Sequence, residues 1–393
     1  MIDSLYLAWR YISFNRIKTA TLIACISLIT FLPFALKALL TASEQQLMSR
    51  ADTTPLLVGA KGNALDLVMN SLYFSKEIPG FINMNEVNKI ATSNLANPIP
   101  LYIRFHAKEY PIVGTTIDYF EFRKLQLSSG RYFALLGECV IGADVANLLR
   151  LKEGDNLLSS PENLFDLAGT YPLKMSITGV LKKTNSADDK AIFVDLKTAW
   201  VIQGLGHGHQ DIKTLKDPSS ILKRSKNTVT TSEKIKQFTE INKDNLASFH
   251  FHGDPSKYPL TAIIAAPLDT KSATLLRGRF LSEQENIQIV RPKEVIEDLL
   301  ANIFKIKNFF DAVVLIVAIA MILAVFLVFS LSLRLRQKEI NTIFHLGCSR
   351  GTIAQLIAAE IFIITVLSGL ICWLALFILG HFQEEIVYKL FIS

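Results

Sequence analysis

The sequence predicts a membrane protein: an α-helical transmembrane bundle of three spans with one large extracytoplasmic α+β domain inserted between spans 1 and 2. Three observations predict it. Half of the 393 residues are hydrophobic and 19% are charged, below the roughly 25% charge of an average soluble chain. Three apolar runs are each long enough for a ~30 Å hydrocarbon core. The long interval between the first two runs alternates short β-type segments with helix-type periodicity.

Residues 1–19 form a basic amino-terminal amphipathic segment carrying Arg10, Arg16 and Lys18. Residues 20–41 form the first span. Lys37 near its outer end can snorkel to the interface, and a membrane helix tolerates Pro33 because neighbouring groups satisfy the freed carbonyl. A cleaved signal peptide would have a shorter apolar core followed by an Ala-x-Ala site. Residues 307–333 form the second span, free of charge after Asp311. Residues 353–380 form the third. It holds one acidic residue, Glu360. Ionisable groups at such depth usually face a bundle interior and carry function; alternatively Glu360 reaches water at the cytoplasmic boundary or pairs with a loop arginine.

The net charge of +6 has to be read by position. Arg334, Arg336, Lys338 and Arg350 lie on the loop at 334–352, and the other basic cluster precedes the first span. This is the positive-inside pattern. No basic stripe interleaved with aromatics suggests nucleic acid. The amino terminus and the 334–352 loop are then cytoplasmic, and residues 42–306 lie outside. The tail at 381–393, with Glu384 and Glu385 against Lys389, lies outside too.

The outer domain reads as α+β. PLLVGAKG, LYIRF, YPIVGTT, ECVIG, MSITGVLKK, AIFVDL and TAIIAA are β-type runs edged by glycine or polar residues. NALDLVMNSLYF, GADVANLLRL and PKEVIEDLLANIF carry apolar residues at helical intervals. The last of these leads almost directly into the second span, so one continuous helix is expected there. A polar, Lys-rich stretch at about 211–246 reads as an exposed loop or insertion. Of the four cysteines, only Cys139 falls in this domain, so the domain is held by its core and not by an internal disulfide.

The motifs exclude most enzyme classes. GAKGNAL lacks the Gly-Lys-Ser/Thr ending of a phosphate loop. Gly59 and Gly62 read as turn glycines, the alternative being a lipid or partner contact. No serine elbow, HExxH or paired acidic motif is present. Five of seven histidines fall in the outer domain: His106, His207, His209, His250 and His252. Four of them form two His-x-His pairs, in GLGHGHQD and SFHFHGD. In an extended segment residues two apart share a face, so each pair is a candidate zinc half-site; the alternative is exposed loop histidines. The cytoplasmic loop LRLRQKEINTIFHLGCSRGTIAQLIAAE is either a topology anchor or a docking surface for a soluble partner.

The chain resembles the FtsX/MacB/LolC-type permeases of ABC transporters. At the amino terminus the likeness rests on Ala8, Trp9, Arg10, Asn15 and Arg16. In the loop it rests on Glu339, Ile340, Leu346, Gly347 and Arg350, followed by Glu360. In the outer domain it rests on Gly130, Arg131, Ile141, Gly142, Val145, Ala146, Gly154, Asp155, Gly179 and Leu181. The resemblance covers nearly the whole chain in order. It implies a periplasmic core domain, a place in the bacterial inner membrane, and no catalysis in this chain. It implies docking of a separate ABC ATPase through Arg10, Asn15, Arg16, Arg336, Glu339, Leu346, Gly347 and Arg350. VGAKGNALDLVMNSLYF and YPIVGTTIDYF look like a subgroup some of whose members are associated with zinc-regulated systems. The family usually has a fourth span. This chain ends 13 residues after Gly380, as a natural three-span variant or a shortened chain.

The expected function is that of a permease subunit, paired as a homodimer among membrane lipids. It would couple ATP hydrolysis elsewhere to movement of the outer domain, for export or extraction of a lipid, lipoprotein or peptide. A mechanical signalling module acting on an extracytoplasmic partner protein and a zinc-handling transport component are the alternatives.

Overall fold

The computed structural model describes residues 2–160, 172–208, 221–224, 229–231, 239–283, 286–335, 337–345, 347 and 349–391. The chain opens with α1 (Ile2–Phe14), α2 (Arg16–Asp52), β1 (Leu56–Ala60), α3 (Ala64–Tyr73), β2 (Ile82–Asn83), α4 (Met84–Ser93), β3 (Ala96–Ala107) and β4 (Tyr110–Thr115). Next come α5 (Asp118–Phe122), β5 (Leu127–Gly130), β6 (Glu138–Ile141), α6 (Ala143–Leu149), β7 (Asn156–Leu158), β8 (Leu173–Leu181), β9 (Ile192–Asp195), α7 (Leu196–Ile202) and β10 (Gly206–Gly208). It continues through β11 (Ile221–Arg224), β12 (Val229–Thr231), β13 (Thr239–Glu240), β14 (Phe249–Phe251), β15 (Pro259–Leu260), β16 (Ala262–Pro267), α8 (Thr270–Glu283) and β17 (Ile287–Val290). Three helices close it: α9 (Pro292–Leu335), α10 (Gln337–His345) and α11 (Arg350–Phe391).

Two compact units result. Met1–Gln46 with Leu300–Ser393 make the first and Leu47–Leu299 the second. In the first, α2 and α11 are long and apolar enough to cross a membrane by length and composition, over Arg16–Asp52 and Arg350–Gln383. The apolar stretch within α9 is shorter among the described residues, Leu315–Leu331. Small polar residues bring α2 and α11 together. The Ser27 hydroxyl donates to the Ser368 carbonyl at 3.2 Å, and the Ser368 hydroxyl to the Ile23 carbonyl at 3.5 Å. Close approach through such residues is how apolar helices associate without a hydrophobic driving force. α1 lies against α11, with Ala8 and Ile12 buried.

The second unit is built on one mixed sheet in the order β13-β8-β6-β9-β4-β3-β16-β1-β17, with β5 and β7 also paired to β8. The half from β17 to β4 is antiparallel; β4 meets β9, and β6 meets β8, in parallel. β3 joins the halves. Its first part pairs with β16 and its second with β4, so Pro98 and Pro100 sit where only one side of the strand carries a ladder. A missing N–H costs least there. The domain is α+β, and all seven β-type runs and all three helical patterns of the sequence form the expected elements. The polar stretch at 211–246 lies largely outside the described residues; within it β11 pairs with β12 and β13 with β8.

Gly59 corrects one expectation. It lies inside β1, not in a turn, and a Cβ there would stand 2.3 Å from Leu67 of α3. The glycine lets α3 settle on the strand. Gly62 follows the strand in open space.

Candidate functional site

Three of the four paired histidines come together. β10 and β14 form a short antiparallel ladder with Gly206 opposite Phe251, His207 opposite His250 and Gly208 opposite Phe249. The alternation of strands sends the phenylalanines to one face and the histidines to the other. The phenylalanine face is turned inward: Phe249 and Phe251 pack against the core cluster. Phe251 meets Tyr258 at 6.2 Å, and Tyr258 meets Trp200 at 4.9 Å between ring centroids. Each phenylalanine ring lies over the glycine opposite it. A Cβ would come within 2.8 Å of the ring at Gly206 and 2.6 Å at Gly208.

The other face carries the imidazoles. Ring centroids of His207, His250 and His252 are 4.7 to 4.8 Å apart in all three pairs. One nitrogen from each lies within 4.8 Å of the others. His207 and His252 are exposed and His250 half-buried. The backbone at His252 is held twice: its N–H donates to Leu205 O at 3.1 Å, and its carbonyl accepts from the Tyr258 hydroxyl at 3.1 Å. The His250 Nδ1 lies 3.2 Å from the Ser248 carbonyl. A carbonyl only accepts, so as a hydrogen bond this contact takes its proton from Nδ1 and leaves the lone pair on Nε2. His209 lies outside the described residues. His106 lies apart in β3, where burial lowers its pKa.

A second site lies where α2 ends. Arg50 is buried, and its guanidinium forks onto Asp188 with Nη1 at 2.5 Å and Nη2 at 3.2 Å. The Tyr119 hydroxyl donates to the same carboxylate at 2.8 Å. Arg123 reaches Thr53 and Thr54 at the close of α2. Burial alone would push the Asp188 carboxyl up, but the charge and hydrogen bonds of Arg50, with Arg123 and Tyr119, hold it below the usual carboxylate range. Burial, with the Asp188 charge, pushes the Tyr119 hydroxyl up to about 12. The side chains of Lys293, at the start of α9, and Asp52, at the end of α2, form an ion pair at 3.1 Å. No sequence pattern marked Arg50 or Asp188. They lie 138 positions apart and only the fold joins them.

The docking residues inferred from resemblance fall on the first unit. Arg10 and Arg16 are exposed on α1 and α2, and Asn15 marks the break between these helices. Arg336 and Leu346 lie outside the described residues. Glu339 belongs to α10 and Arg350 opens α11. Gly347 adopts φ +95°, a left-handed conformation that suits glycine after a helix. Ser349 then caps α11 by accepting from Thr352 N at 3.1 Å. Glu360 is buried at 8% exposure.

The outer-domain motif residues serve the sheet. Arg131 N donates to Thr178 O at 2.8 Å, and the Arg131 side chain pairs with Glu138 at 2.8 Å. Asp155 accepts from Lys152 N at 2.9 Å in the turn before β7. The Cys139 thiol is fully buried and its pKa is raised by that burial.

The family comparison bears on this same α+β domain. The family model of the MacB-like periplasmic core domain matches residues 22–241, more than half of the chain, and the chain belongs to that family. The expected likeness to MacB- and FtsX-type ABC transporter permeases holds at this level. His207 falls within the matched region; His250 and His252 fall beyond it. No curated protein matches the chain. Among solved structures, the chain is similar to the periplasmic region of MacB from Actinobacillus actinomycetemcomitans, at 9% identity and a TM-score of 0.35, covering 63% of this chain and 93% of that one. It is also similar to the extracellular domain of the noncanonic ABC-type transporter YknZ from Gram-positive bacteria, at 10% identity and a TM-score of 0.32, covering 60% and 98%. A permease-protein domain from Porphyromonas gingivalis matches at 9% identity and a TM-score of 0.28, covering 60% and 85%.

Proposed function

We propose that the chain is the membrane subunit of an ABC transporter, converting ATP hydrolysis by a separate ATPase into movement of its α+β domain. The observation that carries this reading is the continuity of α9. Forty-four residues form one helix from Pro292 to Leu335, about 66 Å at 1.5 Å per residue. Its first turn is tied by Arg291, Arg277 and Lys293, and it contains the apolar stretch Leu315–Leu331. The amphipathic α10 follows after Arg336. A helix of this kind transmits displacement because bending it breaks backbone hydrogen bonds.

In this reading α2, the apolar part of α9 and α11 are three spans of a multi-pass inner-membrane protein, and the α+β domain is periplasmic. Two copies pair about a twofold axis, the commonest symmetry of homo-oligomers. The ATPase docks on α1 and α10. The cargo is one handled outside the bilayer: a lipid, lipoprotein or peptide. The test is purification of the full chain from its native membrane, with ATP hydrolysis measured in the purified complex. Removing residues 337–345 abolishes the co-purifying ATPase while the thermal melt of the α+β domain is unchanged. An ATPase that stays bound without α10 overturns the docking assignment.

A further inference from the structure

We propose that His207, His250 and His252 bind one late first-row divalent cation, represented by Zn²⁺, through three imidazole nitrogens, leaving a fourth position to water or an incoming donor. The reading goes beyond the permease function and needs neither an ATPase nor membrane insertion.

Four observations converge. The first is placement: His207 and His250 are direct cross-strand partners, and His252 follows on the same face. The second is reach. Tetrahedral coordination with Zn–N bonds of about 2.0–2.1 Å sets ligand nitrogens about 3.3 Å apart. The nitrogens here lie within 4.8 Å of one another, so side-chain rotation closes the set without moving the strands. The third is pre-organisation. The phenylalanine face anchors the ladder in the core, and the backbone of His252 is fixed at both N–H and carbonyl. The fourth is the Ser248 carbonyl on His250 Nδ1. A backbone acceptor on one ring nitrogen is the usual outer partner of a metal-bound imidazole and selects the tautomer whose other nitrogen ligates.

The donor set determines the chemical class. Three neutral imidazoles suit Zn²⁺ and its late first-row neighbours, whereas Ca²⁺ and Mg²⁺ take oxygen ligands. Three protein ligands with an open fourth position match an exchanging site better than a closed structural one. The half-exposed setting of the cluster fits that use. The ligands also come from both sides of the interval 209–248, so a bound ion pins the two ends of that segment together.

The test is calorimetric titration of the tag-free, full-length chain in detergent with ZnCl₂, with MgCl₂ and CaCl₂ as hard-cation controls. Zn²⁺ shows saturable uptake of about one equivalent per chain and the hard cations show none. His207→Ala and His252→Ala, both at exposed side chains, each weaken the affinity by more than the roughly 10–100-fold typical of outer-shell changes. The triple variant H207A/H250A/H252A loses the site, and His106→Ala retains it. Co²⁺ substitution reports the geometry through visible d–d bands that disappear in the triple variant. Absence of saturable Zn²⁺ uptake by the parent chain overturns the proposal. So does unchanged affinity in H207A or H252A, whose melting in EDTA serves as the folding control.

Discussion

At the scale of single residues, the buried Arg50–Asp188 pair is the most exposed to failure by mutation. Truncating one member of a buried ion pair leaves a charge without its partner and costs about 3–5 kcal/mol. Asp188→Ala should lower the stability of the α+β domain by that amount in a denaturant melt, and Tyr119→Phe, which removes one hydrogen bond to the same carboxylate, by much less. The pH dependence has a definite sign. The Asp188 carboxyl is held below its ordinary value, so its contribution is fully present above about 3.9. It is lost as pH falls through the lower folded-state value. The stability gap between the parent chain and Asp188→Asn therefore narrows on acidification below about pH 3.9; a gap that widens there contradicts the charge assignment. A different residue-scale limit appears at Gly59. Its neighbours on the chain suggest a turn, and only the packing of Leu67 over β1 shows why glycine stands there. Val at this position should destabilise by overpacking, by about 1–3 kcal/mol.

At the scale of elements, periodicity made most of the fold legible. The strong β-type runs became β1, β3, β4, β6, β8, β9 and β16 because buried central strands need the β-branched and aromatic residues that mark them. Besides the weakly patterned α8 (Thr270–Glu283), what escaped was mostly short or at an edge. β17 has the polar Gln288 among its four residues and, among the described residues, pairs only with β1. β5 and β7 both lie on β8 and are mostly exposed. α4 has only ten residues before Asn94 ends it in the left-handed region, so its stripe of Met84, Val87 and Ile90 covers barely two turns. The candidate metal site was half legible. The spacing of His250 and His252 predicts a shared face, but the third imidazole comes from a strand more than 40 positions earlier, and nothing local links them. The element with the sharpest functional consequence is α9. Inserting Gly-Pro between Phe304 and Lys305 should cost about 3 kcal/mol or more of helix stability locally. With the proposed docking on α1 and α10 untouched, ATPase binding should survive. Nucleotide-dependent distances between spin labels placed in the α+β domains of the two copies should no longer change. Distances that still respond to nucleotide would mean that α9 is not the transmitting element.

At the scale of the whole molecule, the decisive question is whether α9 crosses the bilayer. The long helices expose large apolar side chains: Leu28, Trp373 and Phe377 are about two-thirds exposed, at 66%, 65% and 66%. Burying such side chains in hydrocarbon is worth about 1.5–3 kcal/mol each. α2 and α11 have the length for this to spare. The stretch Leu315–Leu331 has 17 residues, about 26 Å of helix, at the lower end of the roughly 17–25 residues that span a membrane. The two topologies differ in one observable. If α9 crosses, α10 lies on the opposite side from the α+β domain, and the basic residues around α10 obey the positive-inside rule. If only α2 and α11 cross, both lie on the same side. Single cysteines at Ser129, exposed on β5, and Asn341, exposed on α10, distinguish these outcomes in a chain whose own cysteines are replaced. A membrane-impermeant maleimide applied to spheroplasts should label Ser129→Cys at once, and Asn341→Cys only after permeabilisation. Equal labelling of both from outside would remove α10 from the cytoplasm, and with it any ATPase docking on that helix. Labelling of Ser129→Cys from outside would place the α+β domain and its histidine cluster outside in either case.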